Sequence, residues 1–399
     1  MADTLTRTAA GRHGGLGVSP GKRCSRPAAV ASCIGFVLIG MLQALYGPAV
    51  PGLRAEYGLS PSAAGLGLSL HFTGGVAGVI AFNAIHSRIS NRVLLSASYT
   101  LMAAGGAGFA LAPNWPLALT AAFLGGLGFG GIDYGLNQLF AVGFGDRSTA
   151  MLNVLNAHFG IGAVLGPALV AWLGPGDYPY AFGLCAVLAG ALVLCTGGVR
   201  GESPPVSPAE RPAASGGLLS RVLVGFLLLY ILNVGVEAGV GGWEPTHLET
   251  VGYSATVAAS ATSLYWLMMT AGRFLVVPLT LRYAPERILA VCAAGMTACL
   301  LLALIPGAAP VAYAGVGLFI APVFPTGLPW LNRALPRAKR AGAWVIAASM
   351  IGGVAAPPLL GVGIEASGIH AVPWLLTTLS AASLVATVWL IALTRKASV

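Results

Sequence analysis

Charged residues are scarce in this chain. Among its 399 residues, 21 are Lys or Arg and 12 are Asp or Glu, whereas 56% are hydrophobic. Soluble globular domains contain roughly 25% charged residues, so the composition excludes an ordinary soluble protein. Long apolar runs take the place of the missing charge, and the mean hydropathy of +0.82 indicates a membrane protein that crosses the bilayer many times.

Sequence motifs for catalysis or cofactor binding are also missing. There is no glycine-rich loop ending in Lys-Ser/Thr, so the sequence does not predict ATP as an energy source. The six cysteines are scattered without metal-ligand spacing, and we interpret them as packing residues. No nucleophile is paired with a base near the end of an apolar run. We therefore predict neither an enzyme nor a cofactor or metal site.

Twelve apolar segments are long enough to cross the bilayer, which requires about 20 residues in a helix. Helices are predicted because the bilayer offers backbone groups no water, and because the segments lack the alternation of barrel strands. The predicted spans are 28–49, 62–84, 93–112, 115–144, 150–174, 178–197, 219–243, 254–281, 287–306, 309–331, 339–364 and 371–394. The predicted fold class is an all-α membrane protein with 12 transmembrane helices.

The basic residues are distributed unevenly between the loops. With the N-terminus inside, 19 of the 21 Lys and Arg residues fall on one side; Arg54 falls on the other and Arg273 lies within a span. This positive-inside bias predicts a plasma (inner) membrane protein with both termini cytoplasmic. We attribute the positive charge to topology and to contact with anionic membrane lipid, and not to nucleic acid.

The sequence contains an internal repeat with a period of 194 residues. Without gaps, residues 41–72 align with 235–266, and Pro51 matches Pro245 while Gly58 matches Gly252. The chain is therefore predicted to contain two copies of a six-helix unit. The predicted organisation is a disordered cytoplasmic tail (1–27), an N-terminal bundle (28–199), a cytoplasmic linker rich in Pro and Ser (200–218), a C-terminal bundle (219–394) and a cytoplasmic C-terminal tail (395–399).

Two homologous six-span halves with this charge bias resemble the major facilitator superfamily, from about residue 28 onward. The resemblance implies two pseudo-symmetric six-helix bundles that work by alternating access. In that superfamily a glycine, an acid and basic residues mark the loop after the second span. Here "NAIHSRISNRVLL" (83–95) has Asn83 and Ser87 in place of the glycine and the acid. The candidate gating-loop residues are Arg88, Arg92 and Arg282, the last being the repeat equivalent of Arg88.

The fourth span is similar to the fucose permease branch, which carries sugars with protons. The resemblance is carried by Gly126, Gly128, Gly130, Asp133, Asn137 and Arg147, by "MLNVLNAHFGIGAVLGP" (151–167) and by "GVGLFIAPVFPTGLPWLN" (315–332). That branch also has an acid in span one, where this chain has Gln43. Because the repeat aligns Gln43 with Glu237 of span seven, we predict that the carboxylate has moved across the pseudo-two-fold.

Asp133 and Glu237 are the only two acids that the predicted boundaries place within spans. A charge there costs about 2.5 to 3.5 kcal/mol on insertion scales, and binding a proton relieves the cost. We therefore expect both carboxyls to couple protons or to bind substrate. Alternatively, Asp133 bonds neighbouring helices or pairs with Arg273. We interpret Arg273, about two and a half turns from the predicted cytoplasmic end, as an anchor for the loop.

Polar and aromatic side chains within the spans form the predicted substrate site. Amides and carboxylates bind hydroxyl groups, and rings stack against the C–H faces of sugars. Hydrogen bonds between helices are an alternative role for the polar candidates. The candidates are Gln43, Tyr46, His71, Asn137, Asn153, Asn156, His158, Tyr265, Trp266 and Trp330, with Tyr134 as a further ring. Trp243, at the predicted outer end of span seven, is expected in the interfacial belt.

Glycine and proline patterns predict how the spans pack. The glycine runs 103–109, 125–131 and 160–166 predict close approach between helices. The proline pairs Pro322/Pro325 and Pro357/Pro358 predict interruptions of the helical hydrogen bonds.

These features together predict a secondary transporter that moves a small polar solute, a sugar in the first place, with protons. Two alternatives remain open at this point. One is proton-driven efflux of a drug or a hydrophobic secondary metabolite. The other is a transporter-like receptor that binds a solute without moving it.

Overall fold

The computed structural model describes residues 26–86, 88–144, 148–198, 221–336, 338 and 341–396. The predicted linker, all but the end of the predicted N-terminal tail, Ser87 and Arg147 lie outside these residues. The helices are α1 (Arg26–Tyr57), α2 (Pro61–Ile85), α3 (Asn91–Ala110), α4 (Trp115–Gly143), α5 (Ser148–Leu173), α6 (Tyr178–Cys195), α7 (Arg221–Thr250), α8 (Ala255–Leu275), α9 (Val277–Thr280), α10 (Pro285–Leu302), α11 (Ala309–Ile320), α12 (Val323–Ala334), α13 (Ala341–Ser367) and α14 (Val372–Lys396).

Within the described part of the chain, eleven helical segments are long and apolar enough to cross a membrane, with α11 and α12 together forming one of them. The remaining long helix, α8, contains Arg273 and several hydroxyl side chains, which lower its hydropathy. It is the repeat equivalent of α2 and completes the set of twelve. The predicted all-α membrane fold with twelve spans is confirmed.

The 194-residue period is visible in the turns as well as in the helices. Each member of two glycine pairs has a positive φ, which favours glycine because it lacks a Cβ. The pairs are Gly58 (φ 64°) with Gly252 (φ 101°), and Gly174 (φ 106°) with Gly368 (φ 83°). The hydroxyls of Ser60 and Ser254, also 194 residues apart, cap α2 and α8 by accepting bonds from backbone N–H groups. The two halves therefore turn at corresponding residues.

The first and seventh spans do not end before their prolines, as the sequence had predicted, but continue through them. Spans one and seven were predicted to end at 49 and 243, but α1 and α7 continue past Pro51 and Pro245. Each proline removes one backbone donor, and packed neighbours make that loss tolerable inside a bundle. The helix is interrupted at Pro322, between α11 and α12, whereas the Pro357/Pro358 pair removes backbone donors from α13 without ending it.

Each half of the molecule packs around its own aromatic core. In the N-terminal half, Tyr46 contacts Phe109 and Phe182, with ring centroids 5.3 and 5.2 Å apart. In the C-terminal half, Trp243 is 1% exposed, and its Nε1 donates to the carbonyl of Pro357 at 3.0 Å. The placement of Trp243 in an interfacial belt was therefore wrong, because α7 continues beyond it and buries the ring.

Two ends of the molecule are distinguished below. The terminal side is the end at which α1 begins and α14 finishes; the opposite side is the end at which α1 finishes and α2 begins. Near the opposite side, α1 and α7 approach each other at Gly47 and Gly241, which are repeat equivalents. A Cβ added at Gly47 would collide with the carbonyl oxygen of Gly241. That carbonyl lacks an intrahelical donor because Pro245 has no N–H. The two halves thus meet backbone to backbone.

Two serines join the halves in a pseudo-symmetric way. The Ser69 hydroxyl of α2 donates to the carbonyl of Val354 in α13 at 2.6 Å. Its repeat equivalent, Ser263 of α8, donates to the carbonyl of Val164 in α5 at 3.0 Å. Pro358 leaves the Val354 carbonyl without a helical donor, and Ser69 supplies one. Each half therefore donates one such hydrogen bond to the other.

A carboxylate adds a further contact between α2 and α13 on the opposite side. The backbone N–H and the hydroxyl of Ser62, at the start of α2, both donate to Glu365 Oε1 of α13, at 2.9 and 2.5 Å. Together with the Ser69 bond, this contact holds α2 against α13. With the crossing of α1 and α7, it closes the opposite side between the two halves.

Towards the terminal side the two halves separate. On one face of α5, Gly160 and Val164 contact α8, whereas Asn153 and Asn156 on the same face are exposed. On α8, Arg273 is exposed only three residues beyond Thr270, which packs on Gly160. From this exposure we infer that the helices diverge beyond the contact and that the halves are open towards the terminal side.

Gly47→Ala is expected to destabilise this conformation, since the methyl group meets a backbone carbonyl that cannot move alone. Overpacking of this kind costs about 1–3 kcal/mol. Thermal unfolding of the purified protein should show a lower Tm for Gly47→Ala. The matched control is Gly183→Ala in α6, where an added Cβ has no atom within 4 Å. Equal Tm values for both variants would contradict the close approach of α1 and α7.

Candidate functional site

A narrow cavity lies between the halves, one helical turn to the terminal side of the Gly47–Gly241 crossing. Gln43 of α1 and Glu237 of α7 both line it. The other lining residues are Leu68, Phe72, Val234, Ala238, Gly241 and Trp266. In this conformation the cavity measures about 10 Å³, room for one water-sized group. The repeat predicted equal depth for Gln43 and Glu237, and the structure places both on this one cavity.

Aromatic rings from both halves form two walls of this cavity. Phe72 and Trp266 are repeat equivalents, and both line it. Trp266 is 5% exposed, and its Nε1 has no hydrogen-bond partner among the described residues, so the donor is available to a bound molecule. Behind the cavity, the Tyr265 hydroxyl donates to the backbone carbonyl of Glu237 at 3.4 Å. The site therefore combines a carboxyl, an amide, an indole donor and two ring faces.

Tyr46 and His71 do not line this cavity. His71 is fully buried, and its ring centroid lies 5.0 Å from those of Tyr46 and Phe129. Neither ring nitrogen of His71 has a hydrogen-bond partner among the described residues. Both side chains belong to the aromatic core of the N-terminal half.

A second polar group lies in α4 and α5, nearer the terminal side. Asn137 Nδ2 donates to Oδ1 of Asp133 at 3.0 Å and to its backbone carbonyl at 2.9 Å. Asn156 Nδ2 donates to Asn137 Oδ1 at 3.0 Å, which links the two helices. The predicted Asp133–Asn137 pair is thus extended by Asn156, whereas His158 contacts the carbonyl of Val154 on its own helix at 2.6 Å.

Arg273 interacts with Glu237 and not with Asp133. It lies in the last turn of α8, so its predicted distance of two and a half turns from the helix end was wrong. Its guanidinium is close enough to attract the Glu237 carboxylate electrostatically, and its Nη2 contacts Met269 Sδ at 3.7 Å. The salt bridge found among the described residues joins Arg333 to Glu286 instead, at 3.7 Å.

The remaining candidates lie away from both polar groups. Trp330 is buried against Phe226, with ring centroids 5.0 Å apart, and borders a separate cavity near the terminal side. The Tyr134 hydroxyl donates to Asn83 Oδ1 at 2.6 Å and ties the end of α2 to α4. The candidate gating-loop residues Arg88, Arg92 and Arg282 are all exposed.

The prediction that Asp133 and Glu237 are the only acids within spans was wrong. Glu244 lies inside α7 and is fully buried. It was missed because Pro245 was interpreted as the end of the span. The repeat places Pro51 at the equivalent position of span one. A proline at the same position in both halves is the sequence signal that could have extended both helices. The ends of the observed spans also include Glu56, Glu249, Glu286 and Glu365.

Comparison with known proteins identifies the family. The sequence model of the Major Facilitator Superfamily matches residues 32–309 and 226–399. The cyanate transport protein CynX of Escherichia coli is 33% identical over 143 residues, which span 34% of this chain and 37% of that protein. The sodium-dependent glucose transporter 1A of Mus musculus is 23% identical over 373 residues, covering 82% of this chain and 87% of that protein.

Solved structures of the same fold cover most of the chain. The D-xylose-proton symporter superposes with a TM-score of 0.74 at 16% identity, over 91% of this chain and 96% of that structure. The fucose:proton symporter FucP of E. coli superposes with a TM-score of 0.60 at 18% identity, over 91% and 98%. The predicted resemblance to the major facilitator superfamily is confirmed. The chain belongs to the Major Facilitator Superfamily and is a multi-pass membrane transporter, not an enzyme.

Proposed function

We propose that this transporter moves a small polar solute, a sugar in the first place, together with protons across the plasma (inner) membrane. Both termini are cytoplasmic in this proposal, so the structure corresponds to a carrier that is closed outside and open inside. The observation that carries it is the joint placement of Gln43 and Glu237 on one cavity between the halves.

The chemistry of that cavity suits a sugar. The Glu237 carboxyl and the Gln43 amide can accept and donate hydrogen bonds with ring hydroxyls, and the faces of Phe72 and Trp266 can stack against C–H groups. The cavity must widen to admit a sugar ring. Rocking of the bundles 28–199 and 219–394 about their contact, with 200–218 as the linker, would provide that movement.

Proton coupling is assigned to Asp133 and Glu237. A proton on Glu237 removes its attraction for Arg273, which stands on the open side of the α5–α8 contact. A proton on Asp133 changes its capacity to accept the bond from Asn137, and so weakens the link to Asn156. Each carboxyl can therefore transmit its charge state to a neighbouring helix. Arg88, Arg92 and Arg282 would act in the cytoplasmic loops, beside anionic lipid.

Similarity to named transporters supports the sugar assignment. Two solved structures of this fold are named as proton symporters of xylose and fucose, and the relative that covers most of the chain is named as a glucose transporter. That relative is named sodium-dependent, so sodium is the coupling ion against which the proton proposal must be tested.

Efflux of a hydrophobic metabolite is a second candidate, favoured by the apolar part of the cavity wall. Leu68, Val234 and Ala238 contribute no polar side-chain atom to it. A hydrophobic cargo would use this surface and would require only the carboxyl for proton exchange.

Proton-driven uptake in proteoliposomes tests the leading proposal. An inward pH gradient, with no sodium, should drive uptake of at least one member of a panel of hexoses, pentoses and deoxysugars. Asp133→Asn and Glu237→Gln should each reduce this uptake about tenfold or more, equivalent to about 1.4 kcal/mol. Asp177→Asn, at an exposed acid in the turn before α6, is the matched control and should retain it.

Two results would contradict the proposal. If uptake requires a sodium gradient, sodium and not the proton is the coupling ion. No sugar uptake, combined with expulsion of a hydrophobic dye against the pH gradient, would establish the efflux alternative.

Sided thiol labelling tests the orientation and the open side. In a variant lacking the native cysteines, Asn156→Cys should react with a membrane-impermeant maleimide in inside-out vesicles and stay unlabelled in intact cells. Leu111→Cys, 81% exposed in the turn between α3 and α4, should show the reverse pattern. Labelling of Asn156→Cys from outside in resting cells would contradict the assigned orientation or the closed outer side.

A further inference from the structure

Glu244 has no role in the site described above, yet it is the most completely buried acid in the described chain. Its side chain is fully enclosed within the C-terminal half, and neither carboxylate oxygen has a hydrogen-bond partner among the described residues. The Thr262 hydroxyl lies beside it but directs its hydrogen to the carbonyl of Ala258 at 3.3 Å. An ionised, unpaired carboxylate in such a place is costly, whereas a neutral acid is tolerated.

Titratable side chains connect Glu244 to the opposite side of the molecule. Tyr313 of α11 lies close enough to interact with the Glu244 carboxyl electrostatically. The Tyr313 hydroxyl is 3.0 Å from Nδ1 of His247, one turn along α7 from Glu244. His247 in turn interacts with His370, which is exposed in the turn between α13 and α14. These three side chains form a series of electrostatic and hydrogen-bonding interactions that begins at an exposed histidine and leads to the buried carboxyl.

A further side chain connects Glu244 to the central cavity. Tyr265 of α8 interacts electrostatically with both Glu244 and Glu237. The two acids are seven residues apart on α7, so they share a face about 10 Å apart along the helix axis. The guanidinium of Arg273 also interacts with Tyr265, on the terminal side of this group. The titratable and charged groups around Glu244 are thus Glu237, His247, Tyr265, Arg273, Tyr313 and His370.

We propose that Glu244 is a second proton-binding site of the carrier, filled from the opposite side through His370, His247 and Tyr313 and emptied towards Glu237. This proposal rests on the proposed proton coupling. One proton from solvent forms the O–H bond of the neutral acid, and that bond breaks when the proton passes to the Glu237 carboxylate. At each relay group, the N–H or O–H bond that breaks is replaced by one formed with the next proton. The site would store a proton inside the C-terminal half while the outer side is closed.

Infrared spectroscopy of the purified protein tests proton binding without relying on transport. At pH 7 the wild type should show a carbonyl stretch from a protonated, buried carboxyl that is lost in Glu244→Gln. Glu249→Gln, at a partly exposed acid on the same helix, is the matched control and should retain the band. A spectrum of Glu244→Gln identical to that of the wild type would overturn the proposal. So would loss of the band on addition of sodium chloride, which would assign the site to a metal cation.

Transport measurements test the route. Glu244→Gln and His247→Phe should reduce proton-driven uptake about tenfold, while exchange of labelled for unlabelled solute without a pH gradient stays near the wild-type rate. Retained exchange shows that both variants are folded and bind solute. Normal proton-driven uptake in both variants would overturn the route. If the wild type shows no proton-driven uptake, the proposed function fails, and the infrared result still decides whether Glu244 binds a proton.

Discussion

Contact between the two halves depends on backbone carbonyl groups near the opposite side. Two of these carbonyls, at Gly241 and Val354, lack helical donors because proline follows four residues later. One meets a glycine of the other half and the other accepts a serine hydroxyl. Glycine and serine are small enough to let the helix backbones touch. Such close packing is needed because lipid provides no hydrophobic force to join the helices. Towards the terminal side, Asn156 of α5 and Arg273 of α8 are exposed.

The polar side chains follow from this geometry. Glu237 and Gln43 lie one turn to the terminal side of the close approach of α1 and α7, on the cavity between the halves. Asp133 and Asn156 lie further along, linked to each other through Asn137. A carboxyl in these places changes its charge at a cost that depends on which side is open, and this dependence is the physical basis of coupling. In our proposal, Glu244 is a carboxyl of the same kind inside the C-terminal half.

The sequence predicted the fold because apolar length and the 194-residue period are properties of the chain alone. The period also located Gln43 opposite Glu237, since pseudo-symmetry relates depth directly. It did not reveal which way a side chain points, and His71 and Trp330 therefore proved to be packed away from the cavity. Pro245 concealed Glu244 and Trp243, because a proline breaks an isolated helix but not one whose freed carbonyl lies in a packed interface.

Distances between spin labels on the two halves test the central claim that the molecule rocks about this carbonyl-mediated contact. Arg88 and Arg282, exposed repeat equivalents on the terminal side, carry one pair of labels; Leu111 and Ile305, exposed equivalents on the opposite side, carry another. Acidification with a transported solute should shorten the first distance and lengthen the second. Two distances that stay constant, or that change in the same direction, would contradict the account.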